Sequence, residues 1–238
     1  MTYLRKSKAF LLCGLLLAAG ACSKTQPVDH ANGNNAPSAT TTTSTAAGGA
    51  NPRAELTAAL NAQMSAQSYR AQMQSSTSNG MTSTTVIEYV APDRYHMTQD
   101  AQMSNGTALK QETLIVGKDT WMRQNGGAWQ KFPVDVGQIV AQFRDPKMLA
   151  ELAKSTDIKF VGPDTVGGAP ALVYEYTLTG ELAKNIKGTA RTWIGATDNL
   201  PRKTESEGEM EFMGKPLKTK TTITYSDYNA SIQIEPPK

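Results

Sequence analysis

Between Ser68 and Tyr228 the chain alternates polar and apolar residues in short runs, and turn-forming pairs punctuate those runs at close intervals. Asn79-Gly80, Asn105-Gly106, Gly117-Lys118, Asn125-Gly126, Gly167-Gly168 and Asp198-Asn199 each separate two such runs. Pairs of this kind supply the positive φ angles that a tight hairpin needs, so each reverses the chain on itself. A chain punctuated in this way is confined to successive antiparallel strands.

The runs can be placed. Tyr69, Ala71 and Met73 alternate with Arg70 and Gln72, and a Thr- and Val-rich run from Thr82 to Val90 ends at Pro92. Arg94 to Gln99 puts Tyr95 and Met97 on one face and His96 on the other, because strand side chains alternate. Leu109 to Val116 follows, then Trp121–Arg123 and Trp129–Lys131 around Asn125-Gly126, a turn that sets Met122 opposite Trp129. After an interruption come Ile158 to Val161, Ala171 to Thr179, Ala190 to Ile194, and two long strands at about Arg202 to Phe212 and Lys215 to Tyr228. Glu181 to Ile186 reads as a single helical turn. In the last hairpin a Met213-Gly214 turn sets Glu209 opposite Lys218 and Glu207 opposite Lys220. That is a charge-paired, solvated face; glutamates strung along a strand do not converge as a hard cation requires.

Two segments have helical period. Asn51-Pro52 is an N-cap followed by proline at the first helical position, and Leu56, Leu60 and Met64 make one apolar stripe, with Ala59 and Gln63 beside it. Val136, Ile139, Val140 and Phe143 form a second stripe, and Asp145-Pro146 precedes a third with Met148, Leu149 and Leu152. This helical pair, about Val134 to Lys154, interrupts the strands.

The N-terminus carries a different signal. Arg5, Lys6 and Lys8 precede an apolar run that ends in Ala19-Gly20-Ala21-Cys22. A basic start, a short apolar stretch and small residues at its end describe a secretory signal peptide, too short for a spanning helix. The cysteine in that position resembles a bacterial lipobox, although Ala19 stands where that pattern prefers Leu. The expectation is cleavage before Cys22 and acylation of Cys22; the alternative is an ordinary signal peptide with an incidental cysteine. Cys13 lies inside the apolar run behind Leu11 and Leu12 and fits poorly. Stable anchoring needs more than one acyl chain. Ser23, where an Asp would resemble an inner-membrane retention signal, points to the outer membrane, inner leaflet, facing the periplasm.

Cleavage changes the accounting. The chain has 24 Lys and Arg against 21 Asp and Glu, and losing Arg5, Lys6 and Lys8 leaves 21 of each. A neutral exported chain gives no reason to expect nucleic acid. With Cys13 removed and Cys22 acylated, no thiol remains for a disulfide, a metal or a nucleophile. Ser23 to Asn51 has Val28 as its only sizeable aliphatic side chain, so it reads as a tether. Random-coil scaling gives it a reach of roughly 30 Å. The domain boundaries are thus 1–21 signal peptide, 22–51 acylated cysteine and tether, and 52–238 folded domain, expected as a monomer.

Catalytic patterns are lacking. His30 lies in the tether and His96 in a strand, so neither a Cys/His zinc site nor a Cys/His nucleophile pair can be built. No Gly-x-Ser-x-Gly elbow and no phosphate-binding glycine loop is present. No catalytic residue, metal or cofactor is expected. The fold class is mainly β (α+β): a strongly bent antiparallel sheet of ten or so strands wrapped around an N-terminal helix and an inserted helical pair on its concave side. Such a sheet cannot fill its concave side with its own side chains, so helices or an apolar ligand must fill it.

The ordered series of motifs carries a resemblance. It runs from Tyr69 through Tyr89-Val90-Ala91-Pro92-Asp93-Arg94-Tyr95, Gly126 to Lys131, Thr192-Trp193-Ile194 and Leu200-Pro201-Arg202-Lys203 to Tyr225-Ser226-Asp227-Tyr228 and Ile232 to Pro236. This series resembles the LolA/LolB-like lipoprotein-carrier superfamily, and within it the lipoproteins typified by LprG and LppX. The resemblance implies an unclosed β half-barrel whose apolar cavity takes acyl chains of lipids or lipoproteins. Carried over, the helical pair is a lid, and Val136, Ile139, Phe143 and Leu149 line the cavity. Those side chains would instead pack the sheet solid if no cavity exists. Two functions follow: a membrane-anchored binder or transferrer of lipid or acylated protein, or a non-catalytic structural or sensory envelope module that contacts a protein without a lipid ligand.

Overall fold

The computed structural model describes residues 48–133, 135–138, 156–178, 186–212 and 215–237. One helix, α1 (Pro52–Ser65), precedes eleven strands. Six strands follow α1 directly: β1 (Ser68–Thr77), β2 (Thr82–Val90), β3 (Arg94–Gln102), β4 (Ala108–Val116), β5 (Asp119–Gln124) and β6 (Gln130–Phe132). Five more follow the interruption: β7 (Thr156–Val166), β8 (Ala169–Leu178), β9 (Ile186–Gly195), β10 (Pro201–Phe212) and β11 (Lys215–Ser226). All lie in one open, curved antiparallel sheet of order β6-β5-β4-β3-β2-β1-β11-β10-β9-β8-β7. The first and last strands therefore meet at its centre, Met73 opposite Ile223. The strands on either side of the interruption, β6 and β7, are its two edges. None of the described helices is long and apolar enough to cross a membrane.

The turns form as their residues dictate. Gly167 and Gly168 take φ of 59° and 82° between Val166 and Ala169, which face each other. In the last hairpin Glu207 pairs with Lys220 and Glu209 with Lys218, the register the turn predicts.

The Asn125-Gly126 turn corrects the sequence reading. Both residues have positive φ, and Gly127 N–H donates to the Gln124 carbonyl at 2.9 Å, as a type I′ turn requires. Yet Met122 pairs with Gln130, not Trp129. One extra residue enters after the turn, because Trp129 lies against the Arg123 guanidinium, 4.5 Å from its ring centre, instead of taking a place in the ladder. Ile186, read as the end of a helical turn, begins β9 instead; 179–185 lie outside the described residues.

Helix α1 starts where predicted, with Asn51 Oδ1 accepting from Ala54 N–H at 3.1 Å. Its buried line is Leu56, Ala59 and Gln63, while Leu60 and Met64 sit at the margin. The helix is turned because the small Ala59 allows close approach to Tyr174 and Ile194. Gly48 and Gly49, which composition assigns to the tether, lie against Leu172 and Phe160: a Cβ at Gly49 would stand 2.3 Å from the Phe160 ring.

Candidate functional site

Alternation along the strands divides the sheet into two faces. The face that carries α1, here the inner face, receives the odd-numbered residues of β1–β4 and the even-numbered residues of β5 and β6. Tyr69, Tyr89 and Tyr95 stack across β1–β3 with ring centres 5.1 and 4.9 Å apart, joined by Ile115, Ala71 and Tyr225. A second cluster, Leu56, Ala59, Tyr174 and Ile194, lies under α1 with Ile158 and Phe160. Beyond these clusters the inner face is lined by small side chains, with Ala101, Ser83, Ser75, Thr221, Ser206 and Ala190 in one cross-strand row. The directly opposed Gly188 and Gly208 follow next to that row; a Cβ on Gly188 would meet the Glu207 carbonyl at 2.9 Å. Small residues there let the strands approach and bend closely.

Among the described strand side chains the two faces differ in charge. Outside the bulge at Pro201–Lys203, no described strand side chain on the inner face is charged, whereas Arg70, Glu88, His96, Glu112, Arg123, Arg191, Glu205, Glu207 and Lys220 all lie on the outer face. Many outer charges are paired. Arg70 Nε meets Glu88 at 2.8 Å, His96 Nδ1 meets Glu88 at 3.3 Å, and Arg123 meets Glu112 at 2.7 Å. Arg123 holds the Glu112 carboxyl below the usual carboxylate range. Burial pushes the Glu88 carboxyl up, but hydrogen bonds from Arg70 and His96 outweigh it and hold the group low.

On the inner face, burial pushes the phenol of Tyr225 up to about 12 and raises that of Tyr176 as well. Glu55, at the edge of α1, accepts from Tyr174 O–H at 2.5 Å and from Gly49 N–H at 2.8 Å. These bonds outweigh its partial burial and hold its carboxyl low.

Of the four expected lining residues, Val136 begins a helical turn, 136–138, and packs half-buried against the tyrosine cluster of the inner face. Ile139, Phe143 and Leu149 lie outside the described residues, as do Cys22 and most of the expected helical pair. His96 is one-third exposed on the outer face, between Glu88 and Glu112. Among the described residues no group of His, Cys, Asp and Glu is placed to hold a metal ion. The outer face carries an open groove of about 670 Å³, lined by polar side chains that include Gln74, Thr84, Asp100, Lys110 and Lys220.

Sequence reading missed the polar residues of the inner face. Thr85, Gln111, Thr113, Thr192 and Thr204 are all buried there. Their signal was the period itself: once the turns fix the register, each falls on the same side as a buried tyrosine or isoleucine.

An open, curved antiparallel sheet with a helix laid across a face whose described strand side chains are uncharged outside the Pro201–Lys203 bulge is an LppX-like fold. The lipoprotein LppX of Mycobacterium tuberculosis is similar at a TM-score of 0.54 and 11% identity, over 77% of this chain and 97% of that one. The MucA/MucB complex of Pseudomonas aeruginosa matches at a TM-score of 0.35 and 18% identity, over 76% of this chain and 59% of that one. A LolA superfamily protein from Nitrosomonas europaea matches at 0.27 and 10%, over 76% and 94%. At these scores only LppX bears on the fold. No family model and no curated protein sequence matches the chain.

Proposed function

We propose that this chain is a non-catalytic envelope lipoprotein that binds, or hands on, acyl chains of a lipid or an acylated protein along its inner face. The observation that carries the reading is the segregation of charge: outside the bulge at Pro201–Lys203, none of the described strand side chains on one curved face of the eleven-stranded sheet is charged, and such a face is open to apolar matter. Val136, Ile139, Phe143 and Leu149 complete the lining in this account, the first of them already against the tyrosine cluster. The LppX-like fold and the description of LppX as a lipoprotein support the same class. Acylation of Cys22, a monomeric state and a place on the periplasmic side of the outer membrane belong to the proposal, from the signal sequence and Ser23.

Native mass spectrometry of the full chain purified from bacterial envelopes tests it. The expected result is a stoichiometric, identifiable lipid adduct that Ile139→Asp and Phe143→Asp remove while circular dichroism stays unchanged. A chain that carries no lipid, and takes up none when lipid or acylated peptide is added, overturns the reading.

A further inference from the structure

Outside the Pro201–Lys203 bulge the described strand side chains of the inner face are uncharged, but they are not uniformly apolar. Gln111, Gln99 and Thr85 stand in one cross-strand row over β4, β3 and β2, and Met73, Ile223, Thr204, Thr192 and Tyr174 continue that row to β8. Its two halves differ. On the β8–β10 side the hydroxyls satisfy one another: Thr192 bonds Thr204 at 3.0 Å, and Tyr176 O–H lies 3.4 Å from Thr192. On the β2–β5 side they do not. The Thr85 hydroxyl of this row is buried, with the residue only 6% exposed, and has no hydrogen-bond partner among the described residues; the same holds for Thr120, 0% exposed, in the tyrosine row through Ile115. A buried hydroxyl with no partner is costly, so its position marks where a partner belongs.

We infer that the guest of this face is an uncharged acyl compound whose ester, amide or hydroxyl group lies at Thr85, between Gln99 on one side and Met73 on the other, and that this position rejects a free carboxylate or phosphate. This inference rests on the lipid-binding reading above. Its physical basis is the difference between two burial costs. An amide or ester carbonyl can accept from Thr85 and lose little on leaving water. A carboxylate at Thr85 would be buried between Met73 and Gln99, neither of which carries a charge to pair with it, at far greater cost. Met73, opposite Thr85, and Met97, diagonal to it on the Gln99 strand, are unbranched, adaptable side chains that accommodate chains of varied shape.

The test uses the full chain carrying Cys22→Ser, which removes the acyl anchor, with the uncharged fluorophore N-phenyl-1-naphthylamine as probe. Palmitamide and palmitate compete for it at mildly alkaline pH; the two share a chain and differ in the head group, a neutral amide against a carboxylate. Palmitamide is expected to displace the probe at about one-tenth the concentration palmitate needs, or less. Thr85→Val, nearly isosteric, is expected to weaken palmitamide about threefold or more without lowering the thermal midpoint, since it removes a buried hydroxyl that has no partner among the described residues, and this separates loss of the hydrogen bond from loss of fold. Palmitate displacing as well as palmitamide overturns the inference and leaves the lipid-binding reading standing. Palmitamide affinity unaffected by Thr85→Val overturns the placement at Thr85. No uptake of the probe or either competitor overturns the lipid-binding reading itself, and the inference with it.

Discussion

Individual ionisable groups set the pH range over which this fold survives. Glu55, Glu88 and Glu112 all titrate below the ordinary carboxylate value in the folded chain. A depressed folded pKa contributes stability that is complete above the unfolded value, about 4.3, and is lost as pH falls through the folded one. Acid unfolding should therefore begin below about pH 4. Glu112→Gln, which removes the ion pair with Arg123, should flatten the loss of thermal midpoint in that window. A mutant curve parallel to the parent's would contradict this. Tyr225 and Tyr176 work in the opposite direction. Burial raises them, so their contribution is intact below about pH 10 and disappears as pH rises through the folded values, about 12 for Tyr225. Tyrosinate absorbance should thus rise together with loss of strand circular dichroism, and a rise with the sheet intact would show these phenols reachable in the folded state. Tyr174→Phe removes a short hydrogen bond to Glu55 and should cost about 1.5 kcal/mol in denaturant unfolding.

At the scale of elements, what was legible was what local chemistry decides. Asn51-Pro52 starts α1 because a cap and a proline at the first position do not depend on tertiary context. The Glu207–Lys220 register follows from one hairpin. The misplaced elements are those in which a distant or unpaired side chain intervenes: Trp129 stacks on Arg123 and slips the β5–β6 register by one residue, and Gln63 displaces Met64 from the buried line of α1. Energies should follow burial. Leu56→Ala, under α1 and 5% exposed, should cost about 2–5 kcal/mol. Glu207→Gln breaks an ion pair whose partners are both about 70% exposed, and should change stability by less than about 0.5 kcal/mol. A larger effect at Glu207 than at Leu56 in matched denaturant melts would overturn this ranking.

Over the whole molecule, the sheet is two meanders joined through β1 and β11, whose paired residues Ser75 and Thr221 are 146 positions apart. No turn signal announces that pairing, and so the sequence could indicate a bent sheet but not which strands close it. The same long-range pairing decides which residues share the inner face across the seam, and this is why the polar row through Thr85 and Thr204 was invisible beforehand while the tyrosines of β1–β3 were not. Hydrogen exchange should be slowest in β1 and β11, buried at the centre, and fastest in the three-residue edge strand β6, whose side chains are all exposed. Uniform protection across the sheet would contradict that gradient.

The central claim is that apolar guests lie on the inner face. Photo-crosslinking of the full chain with a diazirine-bearing palmitoyl probe, followed by residue-level mapping of adducts, tests it most directly, since neighbouring residues of one strand face opposite ways. The account predicts adducts at Met73, Ile87 and Met97 and none at their neighbours Gln72, Glu88 and Thr98. Adducts confined to the outer face, around the groove of Gln74, Thr84 and Asp100, would contradict it.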